Sequence, residues 1–129
     1  MMKPTLLFLV ALPLIMIVAA CKKDVPKGTA AVRLGKCSVE VFGNDEVKIC
    51  YDSLIHESRC PRGVYCIWGG MAIGKFTFSV NTDQHTLILA PSWPDTIVGN
   101  YKIKLLNIDP YPGAHPRPPA TAYFRITKL

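Results

Sequence analysis

From residue 30 onward, apolar residues recur at every second position in short runs broken by glycine, asparagine and aspartate, and no stretch holds a helical spacing. Such a chain can fold only by pairing strands. Val32 and Leu34 alternate with Ala31 and Arg33, and Gly35 separates them from the run Cys37 to Phe42. Gly43-Asn44-Asp45 supplies a turn into Glu46 to Tyr51, which alternates again. Phe76, Phe78 and Val80 share a face, and the opposite parity of Met71 and Ile73 predicts a phase change at Gly74. Thr86 to Ala90 is nearly continuous in apolar character, which predicts burial on both faces. Gly99-Asn100 joins Ile97-Val98 to Tyr101–Leu106 as a two-residue hairpin with Tyr101, Ile103 and Leu105 inward and Lys102 and Lys104 outward. In the last run, Ala122 to Lys128, Phe124 and Ile126 share a face. Short strands at this spacing predict an all-β fold, an antiparallel β-sandwich of immunoglobulin-like type, with a small β-barrel as the alternative.

The N-terminus has a different character. Lys3 precedes an apolar run from Leu6 to Ala20, and small residues stand directly before Cys21, the pattern of a secretory signal peptide. The run is shorter than the roughly 20 residues a membrane-spanning helix needs, and Pro13 interrupts it. Val18-Ala19-Ala20-Cys21 resembles the lipobox of bacterial lipoproteins. The resemblance implies cleavage before Cys21, a diacylglyceryl group on its sulfur and acylation of its amino group. Each buried CH2 contributes about 0.8 kcal/mol, so several acyl chains hold a protein on a membrane essentially permanently. The expected organisation is therefore a signal peptide over 1–20, a lipidated tether over 21–29 and a single β-rich domain over 30–129. The chain has 15 basic and 9 acidic residues, and loss of Lys3 takes the formal charge from +6 to +5. Lys22, Lys23 and Lys27 read as a solvated tether, or as a segment resting on anionic headgroups. The other basic residues are scattered and no nucleic-acid motif surrounds them, so nucleic acid is a poor partner.

Four cysteines remain after Cys21, an even number that in an exported chain predicts disulfides. Cys60 and Cys66 enclose Pro61 and Gly63, residues that reverse the chain and return one sulfur to the other. Cys37 and Cys50 flank a hairpin. If Cys37, Val39 and Val41 share a face with Val47, Ile49 and Tyr51, however, Cys50 points the other way, and a Cys37–Cys50 bridge requires a bulge. The interval Asp109 to Pro119, DPYPGAHPRPP, has too much proline for a central strand and reads as a stiff loop from which Tyr111, His115 and Arg117 project.

No residue set announces catalysis. A thioredoxin-like centre spaces its cysteines by two residues, whereas Cys60 and Cys66 have five between them. His56, Cys60 and Cys66 lack a second close ligand pair for zinc, and no metal or other cofactor is expected. G-x-S-x-G and H-E-x-x-H are absent, and carboxylates such as Asp52, Glu57, Asp95 and Asp109 form no diagnostic pair. The chain is thus expected not to be an enzyme; an enzyme with dispersed residues is the weakest of the readings. Candidate contact residues are Arg59, Arg62 and Tyr65 on the cysteine loop, with the two arginines as a positive rim, and Trp93 and Tyr111 on neighbouring loops. Trp68 is expected to pack on the disulfide and cover an end of the core, the alternative being an exposed aromatic platform.

Glu57-Ser58-Arg59-Cys60-Pro61, followed by Cys66, Trp68, Gly70 and Ala72, resembles the D-S-R-C-P-x4-C-x-W-x-G-x-A signature of a family of small, uncharacterised bacterial envelope lipoproteins. Glu57 replaces the aspartate, and Gly69 stands where alanine is usual. A second similar segment, Leu106 to Pro112, extends the resemblance over most of the mature domain. It implies a lipid-anchored β-rich domain and brings no activity. The expected function is a binding or structural module of the cell envelope whose partner is an envelope protein or glycan; the alternative is an inhibitor of a protease or cell-wall hydrolase. Lys22 lacks the acidic character that by resemblance retains lipoproteins in the inner membrane, so the outer membrane is the expected site, facing the periplasm or the exterior.

Overall fold

The computed structural model describes residues 28–113 and 118–129. Cys21, Lys22, Lys23, Lys27, His115 and Arg117 lie outside them. Eight strands, β1 (Thr29–Arg33), β2 (Cys37–Phe42), β3 (Asp45–Glu57), β4 (Ala72–Val80), β5 (Asp83–Leu89), β6 (Thr96–Val98), β7 (Tyr101–Asp109) and β8 (Thr121–Lys128), form two open antiparallel sheets, and there is no helix among the described residues. One sheet has the order β1-β8-β7-β6 and the other β2-β3-β4-β5. They pack face to face as a β-sandwich rather than closing into a barrel.

The core is the sum of the inward parities. Ile103, Leu105, Phe124 and Ile126 from one sheet meet Ile49, Tyr51, Phe76 and Phe78 from the other, and all are buried. The Phe76 ring stands edge-on to Phe124 with centroids 4.8 Å apart, an arrangement favoured by the aromatic quadrupole. The hairpin at Gly99-Asn100 forms as its sequence predicts, with Gly99 at a positive φ of 57°.

Three strands depart from the pattern expected of them. In β2, Cys37, Val39 and Val41 face solvent, while Ser38, Glu40 and Phe42 are partly covered. β2 is an edge strand, so its inner face is shielded too little to demand apolar residues throughout; partial desolvation there raises the Glu40 pKa. Cys37 sits directly opposite Cys50 in an unbroken register, and the two are bridged without a bulge. In β4, Ala72, Gly74, Phe76 and Phe78 are buried on one face with no phase change. The irregularities lie instead in the partner strand β3, between Tyr51 and Ser53 and between Leu54 and His56. Gly74 is required for space, because a Cβ there would run into the rings of Phe76 and Tyr51. In β5, Leu87 and Leu89 are buried but Ile88 is exposed, since each strand of a two-sheet sandwich has one covered face. Leu34 is likewise exposed; β1 has ended at Arg33, and Leu34 forms only an isolated bridge to Tyr51 before Gly35 turns the chain.

The sandwich has two distinct ends. Gly28, where the described chain begins, accepts a bond from Ile126 N–H and lies toward the end that holds the Gly43 turn, Asn81, Asn100 and Lys128. The segment from Ser58 to Met71 is at the other end, beside Ile108 to Gly113.

Candidate functional site

β3 and β4 stop at Glu57 and Ala72, and the fourteen residues between them form a loop pinned at its base. Ser58 N–H donates to the Met71 carbonyl at 3.0 Å, and Met71 N–H donates to Ser58 Oγ at 3.1 Å. Gly70 passes so near the Ser58 carbonyl that any Cβ would overlap it. Within the loop, Gly63 takes a φ of 79°, Val64 N–H reaches the Pro61 carbonyl, and Cys60 and Cys66 are bridged as expected, with Cα atoms 5.8 Å apart. A loop closed in this way has lost most of its conformational freedom before any partner arrives.

Arg59 is the residue that fastens this loop to the domain. Expected on an exposed positive rim, it is instead 8 % exposed. Its Nε and Nη2 grip the Glu57 carboxylate as a fork, at 2.9 and 2.7 Å, and its Nη1 donates to the Ile108 carbonyl at 2.6 Å. Further bonds reach Pro110 O and Asn107 Oδ1, and the Tyr111 ring lies 4.1 Å from the guanidinium carbon. Burial opposes the guanidinium charge, but the Glu57 carboxylate and Tyr111 together outweigh it and the Arg59 pKa rises. Only a planar five-donor group can satisfy so many acceptors at once. The Asp109–Pro110 bond is cis, and Arg62 N–H donates to Pro112 O at 3.3 Å. The cysteine loop and the start of the proline-rich loop therefore form one surface.

What this surface presents is apolar. Tyr65 is 94 % exposed, Ile67 92 % and Trp68 61 %, with Val64 and Met71 also exposed nearby. Trp68 does not cover the core: the Ser58 carbonyl, 3.4 Å from its Nε1, holds it against the loop's own backbone. Arg62 is exposed, 5.8 Å from the centroid of the half-buried Tyr111 ring. A depression of about 200 Å3 between Arg59, Met71, Pro91, Ser92, Asn107 and Tyr111 adjoins the loop. Trp93 follows Pro91 and Ser92, and its carbonyl accepts from Lys104 Nζ at 2.6 Å.

Comparison with protein-family models, with curated proteins and with solved structures finds no match. The surface has to be read from its own chemistry. Among the described residues no three His, Cys, Asp or Glu side chains gather closely enough to hold a metal ion. Of the sequence candidates, the fold brings Arg59, Arg62 and Tyr111 together and leaves Tyr65 exposed on the same loop, while Trp93 follows Pro91 and Ser92 at the neighbouring depression. Sequence reasoning missed Val64, Ile67 and Met71, whose exposure has no periodic signal, and Glu57 as the partner of Arg59, for which the separation of two residues was the one available hint.

Proposed function

We propose that the protein is a membrane-anchored lipoprotein of the cell envelope whose disulfide-closed loop is a binding surface for an envelope protein. The observation that carries this reading is the exposure of Tyr65, Ile67 and Trp68 on a loop held rigid by a disulfide and by Arg59. Large apolar side chains on a fixed loop cost solvation free energy while alone and recover it only against a partner. Their rigidity lowers the entropic cost of docking. The lipobox-like Val18 to Cys21 stretch supports the anchor, and Lys22 an outer-membrane destination. Chain polarity supports the same reading, since the tether enters the fold at Gly28 and the loop projects from the other end.

Two measurements test this. The intact mass of the mature protein should correspond to an acylated chain beginning at Cys21; an unmodified cysteine there removes the anchor. Crosslinking in intact cells should capture a neighbour that is lost from a Tyr65→Ser, Ile67→Ser variant expressed at equal level. Unchanged neighbours would rule out the loop as the contact.

A disulfide-closed loop that leaves Tyr65 almost fully exposed also suits the cleft of an enzyme, which favours the inhibitor as a second reading. Absence of inhibition across serine, cysteine and cell-wall hydrolases would dismiss it.

A further inference from the structure

We propose that the outer face of the β1-β8-β7-β6 sheet docks on the anionic surface of the membrane that anchors the chain. The idea extends the lipoprotein reading and rests on it for the choice of surface. Outward parities on this sheet place Arg33 on β1, Lys102 and Lys104 on β7 and Arg125 on β8. Two carboxylates accompany them, one among the lysines and one at the end of β7. Asp95, before β6, lies 3.5 Å from Lys102 Nζ and 3.9 Å from Lys104 Nζ, and Asp109, at the end of β7, accepts from Asn107. Neither Arg33 nor Arg125 has an ion-pair partner among the described residues. The other sheet's outer face is balanced, with Lys48 and Lys75 beside Glu46 and Asp52.

Register sharpens the contrast. Lys104 and Arg125 are directly opposite across β7 and β8, an arrangement of like charges that destabilises a sheet. The two line a depression of about 300 Å3 with Lys102, Asp95, Leu106 and Thr127. Lys104 is already met by Asp95 and by the Trp93 carbonyl at 2.6 Å, so the cation that a surface of phosphate groups would chiefly satisfy is Arg125 beside it. Ile97, Leu106 and Tyr123 are exposed on the same face, and apolar and aromatic side chains among cations suit the headgroup region of a bilayer.

The tether gives this face access to the membrane. It runs into β1, a strand of this same sheet, and the seven residues from Cys21 to Lys27 span at most about 25 Å when extended. The anchor therefore holds the face at high effective concentration over the lipid. Docked in this way, the domain keeps its stapled loop and its other sheet free.

The test uses the mature chain, residues 21–129, with Cys21→Ser so that no lipid contributes, in sedimentation with vesicles of phosphatidylcholine alone or of equimolar phosphatidylcholine and phosphatidylglycerol. Binding to the second vesicle and not the first is expected. A cation near an anionic bilayer is worth roughly a factor of five in affinity, so Lys104→Glu with Arg125→Glu should weaken binding by about thirtyfold or more. Lys48→Glu with Lys75→Glu changes net charge equally and should cost about twofold or less, charges remote from the surface being screened. The milder pair Lys104→Gln and Arg125→Gln, checked by circular dichroism for an unchanged fold, should fall between. No binding by the parent, equal losses from both reversals, or retention on an anionic polysaccharide without vesicle binding would each overturn the proposal. The mass of Cys21 tests the anchor separately, so a failure of one leaves the other standing.

Discussion

Replacing Arg59 by methionine keeps an unbranched stem in the same channel and removes the guanidinium. The Glu57 carboxylate then loses the two-bond fork at 2.9 and 2.7 Å, and the Ile108 carbonyl loses its donor at 2.6 Å. Removing one partner of a buried ion pair costs about 3–5 kcal/mol. The Glu57 side chain retains 16 % exposure, through which water recovers part of the loss, so the lower end, about 3 kcal/mol, is expected. For a domain of this size that corresponds to a fall in Tm of roughly 12–20 °C. Equilibrium urea unfolding followed by circular dichroism measures it. Arg59→Lys should lose most of the same stability, because an ammonium group cannot span the fork and the two loop carbonyls together. Adding Glu57→Gln to Arg59→Met should return at least about 1 kcal/mol, since a partly buried carboxylate deprived of its guanidinium, though still bonded to the residue-59 N–H, costs more than the neutral amide. A loss below about 1 kcal/mol, or strictly additive single and double variants, would refute the account of Arg59 as the link between the two loops.

Two further outcomes follow from the same geometry. The Cys37–Cys50 and Cys60–Cys66 bridges span separations of 13 and 6 residues, so on the chain-entropy model their removal as serine pairs should cost about 3 and about 2 kcal/mol respectively; denaturant midpoints in the reverse order would contradict this. Tyr101 Oη donates to Asp45 Oδ2 at 2.7 Å and ties the two sheets together. This bond, with those from Asn81 and the charge of Lys128, holds the Asp45 pKa below its ordinary value of 3.8, while burial and then Asp45 push the Tyr101 hydroxyl up to about 12. The Asp45 contribution is therefore present above pH 3.8 and lost as pH falls through its folded-state value, and the Tyr101 contribution is present below pH 10 and lost as pH rises through about 12. Carboxyl NMR should show Asp45 titrating nearer its ordinary value in Tyr101→Phe, and an unchanged titration would mean that the bond does not set it.

The two-residue alternation by itself determined that the chain makes antiparallel strands, where most of them lie and which residues of β7 and β8 point inward, because those strands bury one face fully and the period of the backbone is then written in residue type. Cys60 and Cys66 were legible as a pair for a local reason, the turn between them. At the edges the same logic weakens. β2 and β5 are covered on one face only and incompletely, so Val39, Val41 and Ile88 could be exposed without penalty, and burial no longer dictates residue type. Bulges in β3 shift the phase without leaving a mark in β4, and Gly74 answers to rings from Tyr51 and Phe76 that only the packed sheets bring over it. Arg59 shows the limit most clearly. As a residue in a turn-rich, stapled segment it reads as a surface cation, and only the approach of Ile108 to Tyr111, about fifty positions away, supplies enough acceptors to make its burial favourable. The same tertiary arrangement leaves Tyr65 and Ile67 uncovered, at 94 % and 92 % exposure.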